Sequence, residues 1–261
     1  MTVFLHELRL NRISLLIWSG VISFMLGVCI IIYPEMTSQM GEISEMFSEM
    51  GAFSSAFGMD KLNFGEFIGY FGIECGNVLG IGGALFAAIV GAGALIKEER
   101  EHTAEFLLTH PISRARIITE KLAACFTQIL ILNLCVVAVS VVCIFAVDVK
   151  TDTLPIVLLF LSNFILQIEI CAVSFGLSAF LRRGELGVGL GFVFSMYFFN
   201  IASNLMEKLG FLKYITPFAY CEGSYIVSQR TLELKYLAVG AAITVVGIVA
   251  AYWKYTKKDI T

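Results

Sequence analysis

Two acids stand inside long apolar runs of this chain, Glu74 and Glu169. A carboxylate in such a run is costly to place against hydrocarbon, so it turns toward protein, water or a permeant ion. Asn163 and Gln167 precede Glu169 on the same run, and Asn200 and Asn204 stand one helical turn apart on a later one. Amides and a carboxylate in this pattern can line a polar path, or they can hydrogen-bond neighbouring helices to each other. Glu169, Gln167, Asn200 and Asn204 are therefore the candidate path residues, and residue type alone leaves both readings open. Glu74 sits nearer the end of its run, within reach of the interface.

A second group lies in the charged stretch KEEREHTAEFLLTHPISRARIITEKL, residues 97–122. Glu98, Glu99, Glu101 and Glu105 are followed by an apolar knot of Phe106, Leu107 and Leu108. Pro111 then breaks the chain, because it lacks an N–H and clashes with the preceding turn. Ser113 can cap the next helix through its side-chain oxygen, and Arg114, Arg116 and Lys121 follow on its first turns. A charged helix bearing a knob of Phe and Leu suits a groove on another protein. The competing reading is a solvated loop whose Phe and Leu fold back onto a bilayer.

Other chemistry finds little support. The chain has no G-x-x-x-x-G-K-[ST], H-E-x-x-H, EF-hand or G-x-S-x-G pattern. His6, His102 and His110 are too scattered for a metal site, and the seven cysteines form no CxxC pair. The cysteines read as small buried hydrophobes, with only Cys221 in a clearly polar segment. No metal, no bound cofactor and no catalytic residue is expected on this chain. No basic cluster is dense enough for nucleic acid.

The elements that position these residues follow from the apolar runs. The sequence is 58% hydrophobic and 15% charged, with a mean hydropathy of +0.84. A soluble domain carries roughly a quarter charged residues. A spanning helix needs about 20 apolar residues, and six runs qualify: near 13–33, 67–96, 117–147, 154–181, 186–206 and 236–253. Twelve of the 18 Lys and Arg fall on one side of these spans if the N-terminus is inside. That bias orients both ends of the chain to the cytoplasm. The expected fold is thus an all-α polytopic membrane protein of six transmembrane helices, a single domain over 1–261.

The connections carry their own patterns. Residues 1–12 read as an interfacial elbow helix, with Val3, Phe4 and Leu8 toward lipid and Glu7 and Arg9 toward water. Residues 34–66 form an outer loop with a helical stripe of Met36, Met40, Ile43, Phe47, Met50 and Phe53. Residues 97–116 form the main cytoplasmic loop. Residues 207–235 form an outer segment, aromatic and amphipathic, of short re-entrant or interfacial helices broken at Pro217. Gly72, Gly76 and Gly80 make a doubled GxxxG, which lets helix backbones approach closely within the chain or between subunits.

The loop resembles the signature of ABC-2-type permeases, the membrane subunits of bacterial ABC exporters. That pattern runs from acids through Gly-Thr and x-E-x-L-L-x-x-P-x-S-R to a basic helix. The matching residues are Glu98, Glu99, Glu101, Thr103, Glu105, Leu107, Leu108, Pro111, Ser113 and Arg114, with His102 where the family commonly has glycine. The resemblance implies that this loop, Phe106 included, couples to cytoplasmic ATPase subunits carrying ATP and Mg. It further implies a second permease subunit, the same or different, in a bacterial cytoplasmic membrane. The chain would then convert ATPase motion into helix rearrangement around a substrate path. Two rival readings are an ion-coupled secondary transporter using Glu169, and a non-transporting module driven by an ATPase.

Overall fold

The computed structural model describes residues 3–37, 51, 56, 62, 66–97, 113–181 and 185–257. Most of residues 38–65 and all of residues 98–112 lie outside the described residues, and so do the expectations placed on them. Six helices are long and apolar enough to cross a membrane. They are α1 (Val3–Thr37), α2 (Phe67–Gly93), α3 (Arg114–Val147), α4 (Thr153–Ser178), α5 (Glu185–Leu205) and α6 (Leu234–Lys257).

Local chemistry sets several boundaries. The Ser113 side chain accepts from the Arg116 N–H at 3.3 Å and starts α3, the cap that the sequence suggests. Asp148 ends α3 in the left-handed region, at φ 52°. The Asp152 carboxylate accepts from the Leu154 N–H at 3.2 Å and starts α4, whose first turn accommodates Pro155. Within α2, residues Cys75–Ile81 form a π-helical stretch between two α-helical halves.

The helices pack around α4, which lies against α2, α3 and α6, while α1 lies along α3 and α5 along α2. In α4, 61% of the most apolar window is buried, against 11% in α6. The outward faces carry Leu16, Phe24, Val142, Phe145, Val245, Val246 and Val249, each more than half exposed. Such surface is stable against lipid and not against water. The Arg114 guanidinium donates to the Thr256 carbonyl at 3.3 Å, and Lys121 pairs with Glu7 at 2.9 Å. The starts of α1 and α3 and the end of α6 therefore share one end of the bundle.

One expectation at the N-terminus changes. Residues 3–12 are helical and continue into the first span as one 35-residue helix. No glycine or proline stands between Val3 and Ser19 to interrupt it. Glu7 does not face water; it is 5% exposed, because the Lys121 ammonium draws it inward.

Between α5 and α6 the chain forms a 3-10 turn at Glu207–Tyr214, a second at Pro217–Cys221 and a short helix at Gly223–Gln229. Pro217 begins the second turn, where the Thr216 hydroxyl accepts from the Phe218 N–H and donates to the Met196 carbonyl of α5. All five residues of Pro217–Cys221 are buried, and they pack on α4, α5 and α6.

Candidate functional site

Two polar regions are built from these elements, one inside the bundle and one at the end that holds the termini. The interior region begins on α4. Gln167 is fully buried; its carbonyl accepts from the Asn133 amide of α3 at 2.7 Å, and its own amide donates to the Leu79 carbonyl of α2 at 3.4 Å. Leu79 lies in the π-helical stretch, where the altered backbone pattern gives a side chain access to a carbonyl. Gln167 occupies the place where a side chain at Gly83 would stand, so that glycine admits it.

Glu169 stands two residues further along α4. It is 4% exposed and accepts from the Tyr220 hydroxyl at 2.7 Å. Burial pushes the Tyr220 phenol well above its ordinary value, so it serves as a neutral donor. Gly240 of α6 leaves the room that the carboxylate fills. Tyr220 thus meets α4 about 24 Å along its axis from Thr153, at ~1.5 Å per residue. Cys221 donates to the Ser162 carbonyl of the same helix at 3.2 Å.

The four candidate path residues therefore separate. Glu169 and Gln167 are enclosed by partners on other elements. Asn200 and Asn204 instead line a small cavity of about 70 Å³ with Asn77, Asn163, Glu222 and Ser224. The glycine motif separates as well. A Cβ on Gly72 would press on Val227 at 3.2 Å and one on Gly80 on Asn163 at 3.0 Å, whereas one on Gly76 would meet nothing within 4 Å, beside the cavity. Gly72 and Gly80 thus serve contacts within the chain.

The second region holds Lys121, fully buried on α3. Its ammonium donates to the Glu7 carboxylate at 2.9 Å and to the Ala94 carbonyl, just past α2, at 2.6 Å. A buried charge needs such pairing to be tolerable. Lys121 therefore ties α1, α2 and α3 together next to both ends of the stretch 98–112. Arg114, the one expected coupling residue among those described, reaches the end of α6. Glu98, Glu99, Glu101, Thr103, Glu105, Phe106, Leu107, Leu108 and Pro111 all lie outside the described residues.

One family profile, ABC-2 family transporter protein, matches residues 1–260. The chain belongs to the ABC-2 transporter family. The search of curated proteins found no match. The match covers all six spans, so this ABC-2 protein is a membrane protein whose family supplies permease subunits of ABC transporters.

Sequence reasoning missed several residues of these regions in the ABC-2 protein. Asn77 and Asn133 are not singled out by the sequence, Tyr220 enters only as one aromatic of the segment before α6, and Lys121 only as a basic residue of the helix after Pro111. A signal for Lys121 was present. Ile117, Ile118, Lys121, Cys125, Gln128, Ile129 and Leu132 recur at helical spacing and are all buried. The lysine falls on the apolar stripe, while Arg114 and Arg116 precede it.

Proposed function

We propose that this ABC-2 protein is the permease subunit of an ABC exporter in a bacterial cytoplasmic membrane, with both termini in the cytoplasm. A separate ATPase subunit binds ATP and Mg, docks on residues 98–108 and drives rearrangement of the helices. A second permease subunit completes the pathway. The observation that carries this reading is the family match over residues 1–260. The loop sequence supports it, with Phe106, Leu107 and Leu108 beside four acids. Three adjacent large apolar residues gain roughly 25 cal/mol per Å² when a partner covers them, and the acids can set register against a basic groove.

The Lys121 tie gives the docked loop a route into the bundle. A push on the loop acts on α2 and α3 at the point where both are bonded to Lys121, and through Glu7 on α1. Asn200 and Asn204 are the better pathway residues, since they line a cavity, whereas enclosure of Glu169 argues against an ion-coupled mechanism centred on it.

The test is Phe106→Ala combined with Leu107→Ala, against Phe53→Ala combined with Phe57→Ala as the outer-loop control. Truncating anchors of this type costs about 2 kcal/mol or more of binding. The cytoplasmic pair is expected to lose its co-purifying ATPase, or to hydrolyse ATP without transport, while still inserting. The control keeps its ATPase. Normal ATPase stoichiometry and normal transport in the cytoplasmic pair would remove the loop from the mechanism.

A further inference from the structure

The two α-helical halves of α2, Phe67–Glu74 and Gly82–Gly93, are pinned by different neighbours. Against the first half, a Cβ on Gly223 would fall 2.6 Å from the Gly72 carbonyl, so the short helix Gly223–Gln229 lies directly on that backbone. The Tyr70 hydroxyl donates to the Cys29 carbonyl of α1 at 3.1 Å, and Phe71 meets Phe160 of α4 edge-on at 5.7 Å. In the second half, Gln167 fills the room at Gly83, and a Cβ on Gly91 would fall 2.5 Å from the Cys171 carbonyl of α4. Neither half can turn about its own axis without driving packed groups into each other.

The π-helical stretch between them, Cys75–Ile81, is held more loosely. Its side-chain hydrogen bonds from α4 are both long: the Asn163 amide reaches the Cys75 Sγ at 3.8 Å and the Gln167 amide the Leu79 carbonyl at 3.4 Å. A Cβ on Gly76 would meet nothing within 4 Å, and a glycine changes backbone conformation at little steric cost. A π turn holds more residues than an α turn, so the stretch amounts to an extra residue in the helix. Expelling that residue would rotate one half by about 100°, one residue's share of an α-helical turn, and both halves are pinned. The extra residue can only move along the stretch. Gly72, Ile73, Gly76 and Asn77 line the cavity at four-residue spacing, so Asn77 still follows the face of the first half. Val78 packs on the apolar core. A step of the π turn toward Phe67 carries Asn77 off its place and brings Val78 into it.

We propose that Cys75–Ile81 is a movable joint in α2, in which a shift of the π turn exchanges Asn77 for Val78 at the wall of the cavity that Asn200 and Asn204 also line. The exchange replaces an amide by an apolar side chain at that point of the wall. Both halves of α2 stay where they are packed, so the change is local and leaves the contact with α4 intact. The inference concerns motion within this chain and does not depend on the exporter reading. Where that reading holds, the joint sets the polarity of one wall of the path.

Hydrogen exchange of the unmodified full chain in nanodiscs, with no ATPase present, is the first test. After correction for intrinsic rates, the amides of Cys75–Ile81 should exchange about tenfold faster than those of both flanking halves, because a shifting π turn breaks its own hydrogen bonds. Deleting Gly76 removes the extra residue and, since its Cβ position is empty, no side-chain contact. The stretch should then be as protected as its flanks. If the deletion does not fold, Gly76→Val stiffens the stretch instead and should slow its exchange about threefold. A second test reads the register. In a cysteine-free background, Asn77→Cys with Asn200→Cys and Val78→Cys with Asn200→Cys are each oxidised with copper phenanthroline. Both pairs should link, since each register turns a different residue toward α5. Equal protection along α2, no slowing in the Gly76 variant that folds, or linking of the Asn77 pair alone would overturn the joint and leave a static bulge. Should neither pair link, the exchange rates decide.

Discussion

Glu169 carries a carboxylate into the most enclosed helix of the bundle, and its neighbours decide what that group can do. The Tyr220 hydroxyl occupies one oxygen, and the carboxylate fills the room that Gly240 leaves. A residue held this way joins α4, α6 and the 217–221 stretch. Glu169→Gln keeps the shape and an acceptor for Tyr220. We expect it to lower stability by about 1–2 kcal/mol, the weight of a charge-assisted hydrogen bond exchanged for a neutral one. Transport by the reconstituted complex should persist. Thermal unfolding and ATP-dependent uptake into vesicles check the two parts separately. Abolished transport in a variant that unfolds normally would return Glu169 to the pathway. The amide pair on α5 differs because it lines a cavity, and its oxygens meet no donor among the described residues.

At the scale of elements, glycines determine where helix backbones touch. The closest approaches lie outside the motif that stands out in the sequence. A Cβ on Gly176 of α4 would fall 2.5 Å from the Gly247 carbonyl of α6, and one on Gly91 of α2 would fall 2.5 Å from the Cys171 carbonyl of α4. Both obstacles are backbone, which cannot swing aside. Gly20 of α1 has nothing within 4 Å of its Cβ position. Gly176→Ala should therefore separate α4 from α6 and cost about 1–3 kcal/mol. Gly20→Ala should be neutral or slightly stabilising, since alanine is the better helix former by about 1 kcal/mol. Unfolding of the two variants side by side in one detergent tests the contrast. Equal stability would mean that the α4–α6 contact is looser than the backbone distances require.

For the whole molecule, the pertinent quantity is which end faces the cytoplasm. The bundle gathers the start of α1, the start of α3 and the end of α6 at one end, and our proposal, from the Lys and Arg bias, is that this end faces inside. Ser228 and Thr256 are both exposed and lie near opposite ends of α6. In a cysteine-free background, a cysteine at Ser228 should react with a membrane-impermeant maleimide in intact cells. One at Thr256 should react only after permeabilisation. The reverse pattern would invert the protein and place residues 98–112 outside, where no ATPase could reach them.

The number of spans, the family and five of the six spans to within about four residues were legible in the sequence, while the first helix begins ten residues earlier than its apolar run, at Val3. Each depends on something local: runs of about 20 apolar residues, charge bias in loops, and contiguous turn chemistry such as Ser113 before α3 or Pro217 after Thr216. Pairings between distant residues were not legible. Lys121 meets Glu7 across 114 positions and Glu169 meets Tyr220 across 51. Nothing local selects those partners, because a lysine on an amphipathic helix start reads as exposed until another helix covers it. The division of the polar residues into bonded and cavity-lining sets likewise arose only with packing. Asn163, Gln167, Asn200 and Asn204 carry the same amide; α2 and α3 supply partners for Gln167, while the other three each keep a buried oxygen that no donor among the described residues reaches. Residue type sets what a group can bond, and only the tertiary structure decides what stands within 3 Å of it.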